Sequence, residues 1–179
     1  MKSRQLAIVL VSIFTLHNVV TLAQSPSGTE RQVFNRKSRA DEAIDIVAVR
    51  NLQDSNWLER LEVEVKNLSN KPVYSIEILI SFPDVQLTDS SGVPATLAMR
   101  LCYGRKTLRK EVRANAEDTP INPGGSYVFK ISQENRKVLQ DRLASGVIPA
   151  SAVLRVNMRV YELSFGDGTG FYAGGVPFP

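Results

Sequence analysis

The chain has 179 residues, 43% of them hydrophobic and 22% charged, with a formal net charge of +4. That balance fits one globular domain behind a leader and excludes wholesale disorder and a polytopic membrane protein. One Cys and one His exclude a disulfide-stapled miniprotein and a Cys/His zinc site, and they leave little material for a Ser-His-Asp or Cys-His centre.

The chain begins with a three-part layout. Lys2 and Arg4 form a basic start, Leu6 to Leu16 an apolar run, and Thr21-Leu22-Ala23 a small-residue end. This is the pattern of a secretory signal peptide cleaved after Ala23. His17 and Asn18 stop the apolar run short of the roughly 20 residues that a spanning helix needs. Cleavage would remove His17 and lower the net charge from +4 to +2. Nucleic-acid binding then loses its compositional support, and acid–base work would fall to carboxylates, Lys or Tyr. The expected location is secreted or periplasmic.

Residues 24–40 hold one strong hydrophobic pair, Val33 and Phe34, among Ser, Arg and Gln. They bury too little to offset backbone ordering, which predicts a flexible linker. From residue 41 the period changes to two, the signature of half-buried strands. Ile44, Ile46 and Ala48 mark a first strand, and Leu61-Glu62-Val63-Glu64-Val65-Lys66 alternates apolar and charged. After the turn Asn67 to Pro72, residues Tyr74, Ile76, Ile78 and Ile80 line a third strand, which Phe82-Pro83-Asp84 is expected to end.

A polar loop over 84–95 leads to a strand bearing Leu97, Met99 and Leu101, and then to an irregular basic stretch. The turn Asn122-Pro123-Gly124-Gly125 precedes a strand with Tyr127, Phe129 and Ile131. Residues 133–145 read as the one good helix, N-capped by Ser132, with Val138, Leu139 and Leu143 on one face and Gly146 as C-cap. Leu154, Val156, Met158 and Val160 alternate, after which the apolar parity switches to Tyr161, Leu163 and Phe165, which predicts a bulge. Asp167-Gly168 reads as a two-residue type I′ turn that sets Phe165 across Gly170, leaving 176–179 as a tail without ladder bonds.

These elements predict an all-β chain, with a domain over 41–175 built as an antiparallel β-sandwich with one short surface helix and a C-terminal hairpin. The run LEVEVKNLSNKPVYSIEILISF, residues 61–82, resembles the second and third strands of bacterial extracytoplasmic immunoglobulin-like modules. In those, a V-x-V-x-N-x-S/G core meets a K-P-I/V turn and a second alternating strand. The resemblance implies an immunoglobulin-like module that binds, spaces or adheres, and it carries over no catalytic residue.

Several constellations offer chemistry. Gly166 to Gly170 resembles a calcium loop but supplies one carboxylate, Asp167, where calcium wants six to eight oxygens. Glu59, Glu62 and Glu64 suggest a carboxylate pair, yet alternating Glu is what a solvent-facing strand needs anyway. Asn67-Leu68-Ser69 is a formal glycosylation sequon, and Cys102 reads as a small buried hydrophobe at a strand end. The strongest signal is charge. Arg100, Arg105, Lys106, Arg109, Lys110 and Arg113 face Glu111 alone, a local net of +5, with Tyr103 between them, whereas 41–64 carries a net of −5. Arg forks suit carboxylates and phosphates. The expected function is therefore a non-catalytic binding or structural module, with no cofactor and no metal. Its basic loop (Arg100, Tyr103, Arg105, Lys106, Arg109, Lys110, Arg113) would meet an anionic envelope polymer, a lipid headgroup or an acidic protein. The alternative class is a small exported enzyme using carboxylates or Tyr.

Overall fold

A computed structural model describes residues 30–35, 43–88, 92–105, 108, 112–172 and 175–178. The leader, most of the linker, and Lys106, Arg109 and Lys110 lie outside the described residues. The strands are β1 (Gln32–Asn35), β2 (Ile44–Arg50), β3 (Glu62–Asn67), β4 (Ser75–Thr88), β5 (Pro94–Tyr103), β6 (Ser126–Lys130), β7 (Arg155–Ser164), β8 (Gly170–Tyr172) and β9 (Val176–Pro177). The helices are α1 (Trp57–Arg60) and α2 (Gln133–Ser145). One sheet runs β5-β4-β7-β8-β9 with β1 also on β7; the other runs β2-β3-β6.

The period-two pattern decides which faces meet. Ile76, Ile78, Ile80 and Phe82 of β4, Leu97, Met99 and Leu101 of β5, and Val156, Met158 and Val160 of β7 are buried. So are Ile44, Val63, Val65 and Phe129 of the small sheet, and all belong to one cluster with Trp57. Trp57 is fully buried and meets Phe82 edge-on at 5.7 Å. Fully burying such side chains is worth about 1.5–3 kcal/mol each, so the shared interior of the two sheets dominates stability. The chain is mostly β, with antiparallel sheets, as the sequence predicts.

The expected bulge is real. Ile78 pairs with Val160 but Glu77 with Glu162, leaving Tyr161 as the extra residue. The helix also matches, with the Ser132 hydroxyl accepting from the Asn135 N–H at 3.1 Å and Leu139 and Leu143 buried, although Val138 is exposed. Gly146 is the C-cap as expected, with φ −85°, and the left-handed conformation falls on Val147 at φ 53°.

Four boundaries are corrected. Gln32–Asn35 is not an irregular linker but β1, paired in parallel with Arg155–Met158. β4 does not stop at Pro83. It runs to Thr88, and the ladder with β5 skips from Phe82 to Gln86, so Pro83 falls in an irregularity where no N–H is required. The C-terminal turn is one residue longer than a type I′ pair. Leu163 faces Phe171 and Ser164 faces Gly170, and Phe165 N–H donates to Thr169 O at 3.1 Å around Gly166-Asp167-Gly168. Both glycines have positive φ, +73° and +87°. Finally, 176–177 does carry a ladder, as β9 pairs with β8 and Phe178 N–H donates to Gly170 O at 2.9 Å.

Candidate functional site

Three of the basic-segment residues begin on β5 or just beyond it. Arg100 stands opposite Leu79 on the outer face of the large sheet. Its Nη1 lies 2.8 Å from Glu77 Oε1, and its guanidinium covers the Tyr161 ring at 4.6 Å, which Arg159 approaches at 5.7 Å. Cys102 and Glu162 flank Glu77 in the same row, and Cys102 Sγ is 4.0 Å from Glu77 Oε2. Cys102 is therefore half-buried on the outer face, not a core residue. The Tyr103 hydroxyl donates to Thr119 O at 2.6 Å. Burial, and then the neighbouring Tyr127, raise its pKa above the usual phenol value.

After β5 the chain turns at Gly104 (φ +70°), whose Cα packs on the Tyr74 carbonyl. Arg105 then grips Asp118 with both edges of its fork, Nε to Oδ1 at 2.7 Å and Nη2 to Oδ2 at 2.5 Å. The Asp118 carboxylate also accepts the Asn115 N–H at 2.9 Å. The Arg105 bond first, and the Asn115 bond second, hold the Asp118 pKa below the usual carboxylate value, while Asp118 raises that of Arg105. Arg105 Nη2 further donates to Arg113 O at 3.2 Å. Leu108 is fully buried and anchors the segment, and Ala114 N–H donates to Gly166 O at 2.8 Å. The Arg113 guanidinium packs against Gly168 in the hairpin loop. Among the described residues of the segment, Arg105 closes a ring with Asp118.

Beside this loop lies a cleft of about 350 Å³ between β5, β6 and the first turn of α2. Arg100, Cys102, Tyr127, Lys130, Ser132 and Asn135 are among its lining residues. Its aromatic lining residues are Tyr127 and the buried Phe129. Tyr103 meets Tyr127 at 4.4 Å, and Tyr127 meets Phe129 edge-on at 4.9 Å. Asn135 Nδ2 donates to Arg100 O at 3.2 Å, tying the helix start to β5. Lys130 points largely into solvent, 3.1 Å from Glu62. Tyr127, Lys130 and Asn135 are thus surface residues that sequence reasoning did not single out. Tyr127 shares the parity of Phe129 and so reads as core, whereas among the described residues β6 has no strand beyond it and Tyr127 is 37% exposed.

The remaining candidates resolve into structural roles. The Asp167 carboxylate accepts from Thr169 N–H at 2.8 Å, Thr169 hydroxyl at 2.5 Å and Lys71 Nζ at 2.8 Å. Burial works to raise its pKa, but the Lys71 and Thr169 bonds and the Lys71 charge outweigh it and hold it at about 2. Glu62 and Glu64 pair across the small sheet with Lys130 and Arg50. Asn67 of the sequon is fully buried. Its Nδ2 donates to Lys71 O and Ile121 O, each at 2.8 Å, and its Oδ1 accepts from Ser69 N–H and hydroxyl. Such an amide is closed to a glycosyl group in the folded chain. Among the described residues no group of three or more His, Cys, Asp or Glu is placed to hold a metal. No family model matches the chain, and no curated protein or solved structure shows significant similarity to it.

Proposed function

We propose that the chain is a secreted or periplasmic, non-catalytic binding module of immunoglobulin-like architecture. The strand order supports the architecture. β2-β3-β6 on one sheet and β5-β4-β7-β8 on the other repeat the order of a sandwich whose first, second and fifth strands face the rest. The binding surface runs from the β5–β6 cleft to the loop after β5, and its ligand is a partner bearing carboxylate or phosphate groups.

One observation carries this reading: Tyr127, partly exposed and in ring contact with Tyr103 and with the buried Phe129, lines a cleft together with Arg100 and Lys130. Aromatic faces lower the cost of desolvating a partner while guanidinium and ammonium groups supply the charge. Arg100, Arg105 and Lys130 are already paired with Glu77, Asp118 and Glu62, so they fix geometry, and the charges of Lys106, Arg109 and Lys110 supply the remaining attraction.

The test is co-sedimentation with anionic vesicles, and separately with an acidic cell-wall polymer, at low and high salt. Surface attraction of this kind weakens as screening shortens to about 8 Å at physiological ionic strength. The informative variant is Lys106→Glu, Arg109→Glu, Lys110→Glu, with Arg105 retained because it holds Asp118. Wild-type binding at low salt, lost in the variant, is expected, and the arm that binds identifies the source of the anion. Equal sedimentation of both proteins would overturn the reading.

A further inference from the structure

The second edge of β7 is divided. β4 takes one edge, from Asn157 to Ser164; on the other, β8 reaches only Leu163 and Ser164. The first half of that edge, Arg155–Met158, is covered by β1. Behind it lie Val156 and Met158, almost wholly buried. A strand too short to complete the sheet is thus complemented by an N-terminal segment.

What holds that segment is backbone pairing and one side chain. Gln32 N–H donates to Leu154 O at 2.8 Å, and Gln53 bonds both the N–H and the C=O of Arg31, at 2.9 and 2.8 Å. The Arg31 guanidinium enters a cage of main-chain carbonyls: Nε to Val153 O at 3.0 Å, Nη1 to Leu52 O at 2.9 Å and Asp54 O at 3.4 Å, and Nη2 to Ala150 O at 3.5 Å. It lies over the Trp57 ring at 5.2 Å. Burial in this cage lowers its pKa. By contrast Val33 and Phe34 stay 38% and 47% exposed. The site therefore recognises an extended backbone led by an arginine, the chemistry of strand addition to an open sheet edge.

From this we infer that the β7 edge with its carbonyl cage is a strand-acceptor site open to exchange, whose occupant in trans is the same segment of a second copy. The contacts made in cis and in trans are identical, so the tether alone sets the balance. A short tether provides an effective concentration on the order of mM. Exchange is favoured where copies are concentrated to that level, or where the tether cannot reach. The eight residues 36–43 join β1 in one sheet to β2 in the other. Deleting 37–41 leaves a reach of roughly 10 Å, about the spacing of two stacked sheets, with nothing left for the turn.

Trp57 is the only tryptophan and reports on the cage. In the full-length chain, Arg31→Ala should shift Trp57 emission, and a synthetic peptide of Glu30–Asn35 should restore the wild-type spectrum saturably. The same peptide with alanine at the arginine position should bind at least about tenfold more weakly, the equivalent of one lost charged hydrogen bond. In an otherwise wild-type chain, deletion of 37–41 should convert monomers to dimers or longer species by light scattering, and adding Arg31→Ala should reverse this. Should Arg31→Ala fail to fold, Arg31→Lys, which keeps the charge without the fork, replaces it. A deletion variant that stays monomeric with wild-type emission, or a peptide without effect on the Arg31 variant, would overturn the inference.

Discussion

Asn67 shows how much one polar side chain can organise. Its amide closes the β3–β4 turn and reaches the Ile121 carbonyl from a fully buried position. Asn67→Ala leaves those carbonyls without their donor and should cost about 2–4 kcal/mol in chemical denaturation. Val147 shows the reverse, a residue working against its own backbone. It holds φ 53° while 89% exposed, whereas Gly146 beside it has an ordinary φ of −85° and is set by space, since a Cβ there would meet Leu87 and Ile148. Val147→Gly should therefore raise stability by about 0.5–1 kcal/mol, seen as a higher Tm. Asp167 sets a pH dependence. Its pKa lies at about 2 against an ordinary 3.8, so its contribution is complete above the ordinary value and is lost as pH falls through about 2. Asp167→Asn should flatten the acid limb of the Tm–pH curve in that window. Sequence placed Gly146 correctly at a helix end and read Asn67 as the start of a turn, whereas it is the last residue of β3. It could not give their roles, because those depend on Ile121 and Leu87, distant in the chain.

At the level of elements, regular alternation made β3, β4, β5 and β7 legible, because each has one face on the shared core. Elements held by backbone alone left no such trace. β1 and β9 have mostly exposed side chains, and their composition reads as linker and tail. The hairpin slipped by one residue for a related reason: Gly166, Asp167 and Gly168 suit a two- or a three-residue loop equally, and the choice falls to long-range packing. Gly166 sits against Tyr74 and Ala114, and Gly168 against Arg113. Gly168→Val meets both the φ of +87° and the Arg113 guanidinium, and should cost about 1–3 kcal/mol. Removing residues 176–179 strips β9 and the Phe178 ring from Gly170 and Tyr172. That truncation should cost about 1–2 kcal/mol in thermal unfolding.

Across the whole molecule the acidic stretch 41–64 and the basic stretch 100–113 answer to different partners. Glu64 and Glu62 are matched by Arg50 and Lys130 on the small sheet, and Asp54 by Arg60 at 2.7 Å. The basic stretch closes on Asp118 and Glu77 and borders the Tyr103–Tyr127 ring contact. That juxtaposition was not legible in the sequence, since Tyr103 and Tyr127 are brought together by β5 and β6 from different sheets. The signal-peptide pattern of the first 23 residues is tested by intact-mass spectrometry of exported protein, which should give a mature chain starting at Gln24. The most direct measurement is a backbone-amide NMR titration of the full mature chain with an acidic polymer at low and high salt. Shifts should cluster at Arg100–Arg113, Tyr127–Lys130 and Asn135 and fade as salt rises. Shifts absent at low salt, or centred away from that surface, would contradict the binding role.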